Sequence, residues 1–316
     1  MKDYDVVLLT DSRYVNPIKS NDYIENVLKE DELLLKAFEK QNLKSTKKDW
    51  NDPSFDWEST KTAIFRSTWD YFDQFPIFEN WLDQVHKKCK LINSFGQIKW
   101  NLNKRYLQDL ESWKIPIPES VFVHQNSNLI LKKIAKEKNW NHIVIKPTIS
   151  GAARLTYQLE GYEIDDFQLK WINLTNQEEF IVQEFQKNVV KTGEIAIILF
   201  GGKYSHAVLK KAKKGDFRVQ DDFGGTVEKI NPSKDLIALA EKTIQKLKPI
   251  PFYSRVDIIL NNENSPVIME LELIEPELWF RFKVDAAKKL GLLVKEFINN
   301  LNSYSNWIRE FINSHK

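Results

Sequence analysis

Hydrophobic and polar positions alternate along this chain with two different periods. Val6-Val7-Leu8-Leu9 is a short apolar run that ends in polar Thr10-Asp11-Ser12, the way an open α/β sheet begins. From residue 20 to 41 the apolar positions Ile24, Val27, Leu28, Leu34, Leu35 and Phe38 recur at helical spacing. Thr62-Ala63-Ile64-Phe65 predicts a second buried strand, closing in Arg66-Ser67-Thr68. Phe78 to His86 predicts a helix and Lys90 to Asn93 a third strand. Strand and helix thus alternate to about residue 95, which predicts a parallel sheet. Asp11 and Arg66 then sit at carboxyl ends of strands, where ligands bind in such sheets.

Ile115-Pro116-Ile117-Pro118 marks a boundary, because neither proline continues a helix. Beyond it the pattern becomes α+β and largely antiparallel. Residues 129–138 read as helix and 142–159 as two strands around Thr148 to Ala152. Residues 194–210 read as a hairpin turning at Gly201-Gly202, and 254–274 as another. From Ala286 the chain reads as helix, with Leu292, Leu293, Phe297 and Ile298 as its packing stripe. No internal repeat or low-complexity segment is present.

The 254–274 hairpin carries the sharpest chemical pattern. With its turn centred near Glu263, Asp257 faces Glu270 and Arg255 faces Glu272. One face then holds Val256, Ile258, Leu260, Val267, Met269 and Leu271; the other holds Arg255, Asp257, Glu270 and Glu272. An ordinary sheet with one wet side would look like this. Facing carboxylates also repel unless something positive lies between them, and a hard divalent cation such as Mg²⁺ takes oxygen ligands of this kind. A one-residue slip in register would remove that argument.

Weaker signals accompany it. Lys146 ends the apolar strand from His142 and precedes a small-residue loop, Ser150-Gly151-Ala152-Ala153, whose backbone can come close to a ligand. Such a loop with a nearby ammonium cradles phosphates, although a strand-end lysine is also commonly just solvated. Phe180 to Gln186 is an apolar strand meeting a polar segment. Lys104 stands at the head of a helix, where capping gives no reason for a cation.

Composition narrows the function classes. The chain has 316 residues, 42% hydrophobic and 28% charged, with a formal net charge of +2. That length suits two or three packed subdomains. Nothing in the charge calls for nucleic acid. The single cysteine, Cys89, excludes an intramolecular disulfide and a cysteine-based metal site. The apolar run at Val6 is too short for a signal segment, and no stretch approaches the roughly 20 apolar residues of a membrane span. A cytoplasmic protein with no membrane partner is expected. A homodimer, the commonest oligomer, is the expected assembly.

Taken in order, Asn103-Lys104, Val144 to Pro147, Ser150 to Ala152, Val182 to Phe185, Gly193-Glu194, Arg255 to Asp257 and Glu270 to Glu272 resemble the ATP-grasp superfamily over roughly residues 100–280. The narrower resemblance is to its D-cycloserine synthetase-like and glutathione synthetase-like branch. It rests on Arg66 to Tyr71, Tyr204 to Lys210, Gly215 to Gln220 and Glu272 to Pro276.

The resemblance implies an N-terminal α/β substrate-side domain (residues 1–100), a small lid subdomain (101–186) and a C-terminal subdomain with the metal site (187–316). It implies that Lys104 and Lys146 hold the α- and β-phosphates of ATP under the Ser150–Gly151–Ala152 loop. Gln183, Glu184, Phe185 and Gln186 would meet the adenine and Glu194 the ribose. Asp257, Glu270 and Glu272 would hold two Mg²⁺ ions. Lys210, Arg218 and Arg255 are the catalytic candidates, steadying phosphoryl group and oxyanion. Arg66, Ser67, His206 and Glu275 are the candidates for contact with an amino-acid-like small molecule. Many ATP-grasp enzymes carry Asn two residues after the metal-binding Glu, where this chain has Glu272. The implied reaction is ATP-dependent C–N ligation through an acyl-phosphate-like intermediate. A peptide-modifying ligase and a non-catalytic nucleotide-binding protein are the alternatives.

Overall fold

The computed structural model describes residues 2–213, 215–216, 218 and 224–301. Phe217, Val219 and Gln220 of the Gly215 to Gln220 segment lie outside them, as do Met1, Lys214, residues 221–223 and residues 302–316.

Strands β1 (Tyr4–Thr10), β2 (Ser45–Asp49), β3 (Thr60–Ser67) and β4 (Lys90–Ile92) form the expected parallel sheet, in the order β2-β1-β3-β4. Helix α1 (Asp22–Lys40) is started by Asn21, whose side chain accepts from the Ile24 N–H. Helix α2 (Phe75–Lys88) has proline in its first turn and His86, Lys87 and Lys88 in its last, as the helix dipole favours. The edge strand β2 escaped the sequence reading. Its residues Ser-Thr-Lys-Lys-Asp carry no apolar run; it is placed by backbone pairing with β1, and edge lysines discourage pairing with another chain.

Two short helices follow, α3 (Phe95–Asn101), opened by a Ser94–Gln97 capping box, and α4 (Tyr106–Ser112). A second sheet is built from β5 (Ser120–Val123), β6 (His142–Pro147), β7 (Tyr157–Glu160) and β8 (Phe180–Glu184), ordered β5-β8-β6-β7 and antiparallel throughout. Helices α5 (Leu131–Glu137), α6 (Glu163–Asp166) and α7 (Gln168–Thr175) belong to the same stretch.

Helix α8 (Lys187–Thr192) leads into the third sheet: β9 (Glu194–Phe200), β10 (Lys203–Lys211), β11 (Thr226–Ile230), β12 (Tyr253–Leu260) and β13 (Pro266–Glu272), in the order β11-β10-β9-β12-β13. The β9–β10 turn uses Gly201 and Gly202 at φ 57° and 73°, the positive pair that a two-residue hairpin needs. Helices α9 (Lys234–Gln245) and α10 (Val284–Asn299) complete the described chain. In α10 Leu293, Phe297 and Ile298 are buried as expected, but Leu292 is 43% exposed. Ala286, Ala287, Leu290, Gly291, Leu293, Val294, Phe297 and Ile298 form one buried face of the helix, and at 100° per residue position 292 falls on the opposite side.

Leu34 and Phe38 of α1 share one core with Val256 and Ile268 of the third sheet and Leu290 of α10. The second sheet has a separate core around Trp171, Phe180 and Ile143. The first and third sheets are thus joined by a common interior, and the second packs as its own unit.

Candidate active site

The β12–β13 register is the one the sequence pattern gives at its charged end: Arg255 pairs with Glu272 and Asp257 with Glu270. Beyond Asp257 the register shifts, and Ile258 pairs with Ile268. Met269 is the extra residue of a bulge. The shift corrects the expected faces. Ile268 joins Val256, Ile258 and Leu271 in the core, whereas Met269, expected there, lines a cavity beside Glu270.

That cavity, about 280 Å³, lies between the second and third sheets and is closed on one side by the N-terminal region. The third sheet presents Glu194, Lys210, Arg255, Glu270 and Glu272. The second presents Lys146 and the segment Gln183 to Gln186. Lys104, the Ser150–Ala153 loop, Arg218, Glu275 and Trp279 line it as well, with Tyr23, Trp69, Tyr71 and Phe72 from the N-terminal region.

One oxygen from each of Asp257, Glu270 and Glu272 lies within 4.8 Å of the others. Each carboxylate also has a protein cation. Lys210 Nζ donates to Asp257 at 2.8 Å, and Arg255 donates to Asp257 at 2.9 Å and pairs with Glu272. Lys104 Nζ is 3.1 Å from Glu270. The protein therefore balances these charges itself, and the case for a metal rests on the convergence of oxygens rather than on unanswered repulsion. Such an all-oxygen donor set, facing two lysines, fits Mg²⁺. The glutamate at position 272 is answered by Arg255.

Burial and neighbours spread the protonation of these groups apart. Burial pushes Asp257 up, but Arg255 and Lys210 hold it at about 2. Burial likewise opposes ionisation of Glu270, and Lys104 and Lys146 outweigh it, so Glu270 sits below the ordinary range. For Glu272 burial wins over Arg255 and raises the carboxyl to about 8. Glu194 goes up to about 7 by burial despite its ion pair with Lys210. Burial lowers the Lys146 ammonium to about 8, against the pull of Glu270.

Lys104 is no solvated surface lysine. Its Nζ donates to the Ser150 carbonyl at 2.6 Å, and its backbone N–H to Thr148, so it ties the small-residue loop to the metal-site end of the cavity. That loop holds Ala152, Ala153 and Leu155 at φ 47°, 54° and 48°. Left-handed backbone at non-glycine residues concentrates at functional segments. Gly151 is needed for a different reason: a Cβ there would lie 2.5 Å from the Phe72 ring. Arg154 continues the seam, donating two hydrogen bonds to the Glu178 carboxylate, with Nε 3.6 Å from Asp73.

Along β8, the Gln183 amide donates to Ser120, Phe185 stacks on His142 at 4.1 Å between centroids, and the Gln186 side-chain oxygen accepts from the Asn262 N–H. The backbone is partly engaged as well: the Phe185 N–H donates to the His142 carbonyl at 2.9 Å, the Phe185 carbonyl accepts from Asn262 Nδ2 at 3.1 Å, and the Glu184 carbonyl accepts from Gln186 Nε2 at 3.1 Å.

Three residues expected at the substrate lie elsewhere. Arg66 is 3% exposed, paired with Glu30 at 2.6 Å and donating to the Pro276 carbonyl at 2.8 Å. The Ser67 hydroxyl shares a 2.6 Å hydrogen bond with Thr10 in the interior. His206 is 2% exposed and bonded to the Leu278 carbonyl at 2.8 Å; burial lowers it to about 4, so it is neutral. A carboxyl-terminal strand position suggested exposure for Arg66, but the strand end is covered by the 274–280 segment. Glu275 does line the cavity, its carboxyl raised to about 7 by burial against a Tyr71 hydrogen bond. Arg218 lines it too, and is bonded to Asp216.

Trp279 was not anticipated. It is left-handed (φ 46°) and 2% exposed, with the Arg255 guanidinium 5.2 Å and the Lys210 ammonium 5.9 Å from its ring. Its conformation leaves no mark in the sequence. Tyr71 and Phe72 could have been suspected from the aromatic run after Arg66.

Residues 110–293 match the RimK-like ATP-grasp domain, more than half of the chain. The chain belongs to the RimK-like ATP-grasp family. Members are ATP-dependent ligases, so the cavity of this ATP-grasp protein lies in a fold that handles ATP. Residues 6–93 match the N-terminal domain of D-cycloserine synthetase DcsG. The cycloserine biosynthesis protein DcsG of Streptomyces lavendulae is 26% identical over 264 residues, 78% of this chain and 87% of that protein. The crystal structure of D-cycloserine synthetase DcsG superposes with a TM-score of 0.82 at 23% identity, covering 93% of this chain and 99% of the other. D-alanine–D-alanine ligase from Bacillus anthracis gives 0.65 at 14% identity, covering 94% and 98%. These two likenesses are of fold. Among the described residues no helix is long and apolar enough to cross a membrane.

Proposed function

We propose that this ATP-grasp protein is a C–N bond-forming ligase that phosphorylates a carboxylate or ureido oxygen of an amino-acid-like small molecule. The observation that carries the reading is one cavity that joins an oxygen cluster, three lysines and an aromatic wall. In the first step the acceptor oxygen attacks the γ-phosphorus. The new O–P bond forms as the bond to the β-phosphate oxygen breaks, leaving ADP and an acyl-phosphate-like species. A nitrogen lone pair then attacks the activated carbon. The C–N bond forms, the C–O bond to phosphate breaks, and phosphate and a proton leave.

Catalysis of this type needs positioning and charge neutralisation rather than a nucleophilic side chain. In this reading Lys104 and Lys146 bind phosphate oxygens, and Arg218 and Arg255 steady the moving charge. Asp257, Glu270 and Glu272 hold Mg²⁺, which would neutralise phosphate charge. Lys210 sets the charge of Asp257 and Glu194. Residues 1–100 supply the acceptor wall, 101–186 the lid and 187–316 the metal side.

The seam in which Gly151 and Arg154 meet Phe72 and Asp73 joins the small-residue loop to the N-terminal region. The match of residues 6–93 to the N-terminal domain of D-cycloserine synthetase favours a small acceptor over a peptide.

The test is calorimetric titration of ATP with and without Mg²⁺, followed by ADP release with free amino acids, ureido amino acids and short peptides. Mg²⁺-dependent ATP binding and ADP release with a free amino acid are expected. ADP release with peptides alone would replace the small-molecule reading. Absence of ATP binding in both titrations would overturn the ligase reading.

A further inference from the structure

The segment from Ile274 to Phe280 lines the cavity with almost no secondary structure of its own, yet its backbone is held at successive positions by buried and half-buried side chains. Tyr253 Oη donates to the Ile274 carbonyl at 2.7 Å, Trp69 Nε1 to that of Glu275 at 3.0 Å, and Arg66 Nη2 to that of Pro276 at 2.8 Å. Glu30, 6% exposed on α1, accepts from the Leu278 N–H at 2.7 Å and the Phe280 N–H at 3.4 Å, while also pairing with Arg66. The result is a clamp: one carboxylate and one guanidinium, bonded to each other, grip the backbone on both sides of Glu277.

Every other residue of the strap serves the cavity. Glu275, Glu277 and Trp279 all line it, and Trp279 lies against Arg255 and Lys210. Glu30 and Arg66 line nothing. A buried ion pair is poor evidence of stability in itself, because desolvation offsets its attraction. Its contacts at Pro276, Leu278 and Phe280, the last two flanking the left-handed Trp279, point instead to geometry that must be fixed.

We propose that Glu30 and Arg66 are positioning residues, which set the strap so that Glu275 and Trp279 face the acceptor. The acceptor side of this proposal rests on the ligase reading; the clamp itself does not. Small displacements of groups that orient a reactant cost large factors in rate, and with Glu275 on the strap the larger effect falls on the acceptor rather than on the nucleotide.

The experiment uses the full chain carrying Glu30→Gln or Arg66→Lys. Each keeps one hydrogen-bonding group in place, whereas Glu30→Ala leaves Arg66 buried without its partner and risks unfolding. Hydrogen exchange is followed at the Leu278 and Phe280 amides, Mg-ATP affinity by calorimetry, and ADP release with D-alanine and with citrulline as probes. Expected are exchange at least about tenfold faster at both amides, an acceptor KM raised about tenfold or more, and Mg-ATP affinity within about twofold of wild type. Unchanged exchange would overturn the clamp. Faster exchange with an unchanged acceptor KM, or with ATP affinity falling in the same proportion as acceptor affinity, would overturn the positioning role. If wild-type protein binds Mg-ATP but neither probe drives ADP release, the exchange rates still decide the clamp, and the ligase reading alone stands to be revised.

Discussion

Two regions of this molecule gather buried charge, and they dispose of it differently. At the carboxyl ends of β1 and β3, the charged groups are closed on the protein, while Thr68 Oγ1 and Arg66 Nε are buried without a hydrogen bond. Asp11 is fully buried and gripped by Arg13, Thr10 bonds Ser67, Asp70 accepts from Trp50 and Gln74, and Arg66 pairs with Glu30. Between the second and third sheets the acids and cations are also paired, but they border a cavity. The protonation of two that line it is pushed in opposite directions, Glu270 below the ordinary range and Glu272 up to about 8. Charge that is both buried and adjoining empty space is poised to exchange partners when a ligand arrives. Charge that is merely buried is architecture. A strand-end position in an open sheet does not separate the two, as Arg66 demonstrates.

The largest contrast is expected from Glu270→Gln. Removing one carboxylate of the converging set should reduce ADP release by about 100-fold or more, in the range found for loss of a transition-state electrostatic partner. The folded structure should persist, because Glu270 lies at the cavity edge rather than in the core; circular dichroism and thermal melting check this. Turnover within about twofold of wild type would remove the metal assignment, and the hairpin would revert to an ordinary wet sheet face.

Lys146→Ala comes next. A charge-assisted hydrogen bond is worth roughly 1.5–3 kcal/mol, so ATP affinity should fall about tenfold to a hundredfold. The wild type adds a pH signature. Burial lowers the folded-state ammonium to about 8, so ATP affinity declines as pH rises past that value, and the variant lacks the inflection. Stability moves the other way. An unfolded lysine keeps its proton to its ordinary value of 10.5, so the ligand-free wild type binds fewer protons than its unfolded chain between about pH 8 and 10.5. This lysine's contribution to stability therefore rises with pH across that window. Calorimetry and melting over pH 7 to 10 measure both; unchanged affinity in the variant would count against a phosphate role.

A smaller effect is expected where the regions meet. Gly151→Ala places a methyl 2.5 Å from the Phe72 ring. The ring or the loop must shift, and kcat/KM should drop several-fold, since overpacking of a fitted contact costs roughly 1–3 kcal/mol. Phe72→Leu in the same chain should restore part of it. An additive loss would show that the two do not share the seam.

How much of this could be read beforehand follows the same division. The charged end of the β12–β13 hairpin was legible because period-two alternation and a short polar turn fix which side chains oppose each other. The bulge at Met269 was not, since an extra residue flips every later position and leaves the local pattern intact. Polar β2 was silent because its place depends on backbone bonds to β1. The ordered motifs from Lys104 to Glu272 led to the family. The clamp on the 274–280 strap involves residues up to 250 positions apart, and no local pattern encodes a contact at that range.

The smallest predicted effect bounds the comparison from the architectural side. Arg13 holds Asp11 through Nε at 3.1 Å and Nη2 at 2.7 Å, with its own side chain 58% exposed. Arg13→Ala leaves Asp11 its backbone bond from residue 13 but takes away the guanidinium. A half-exposed ion pair is worth about 1 kcal/mol or less, so denaturant melts should show a loss of that order. Mg-ATP affinity and ADP release should stay within about twofold of wild type, because neither residue lines the cavity. A clear loss of activity at unchanged stability would mean that the strand-end cluster takes part in binding, and that buried charge beside the first sheet is not architecture alone.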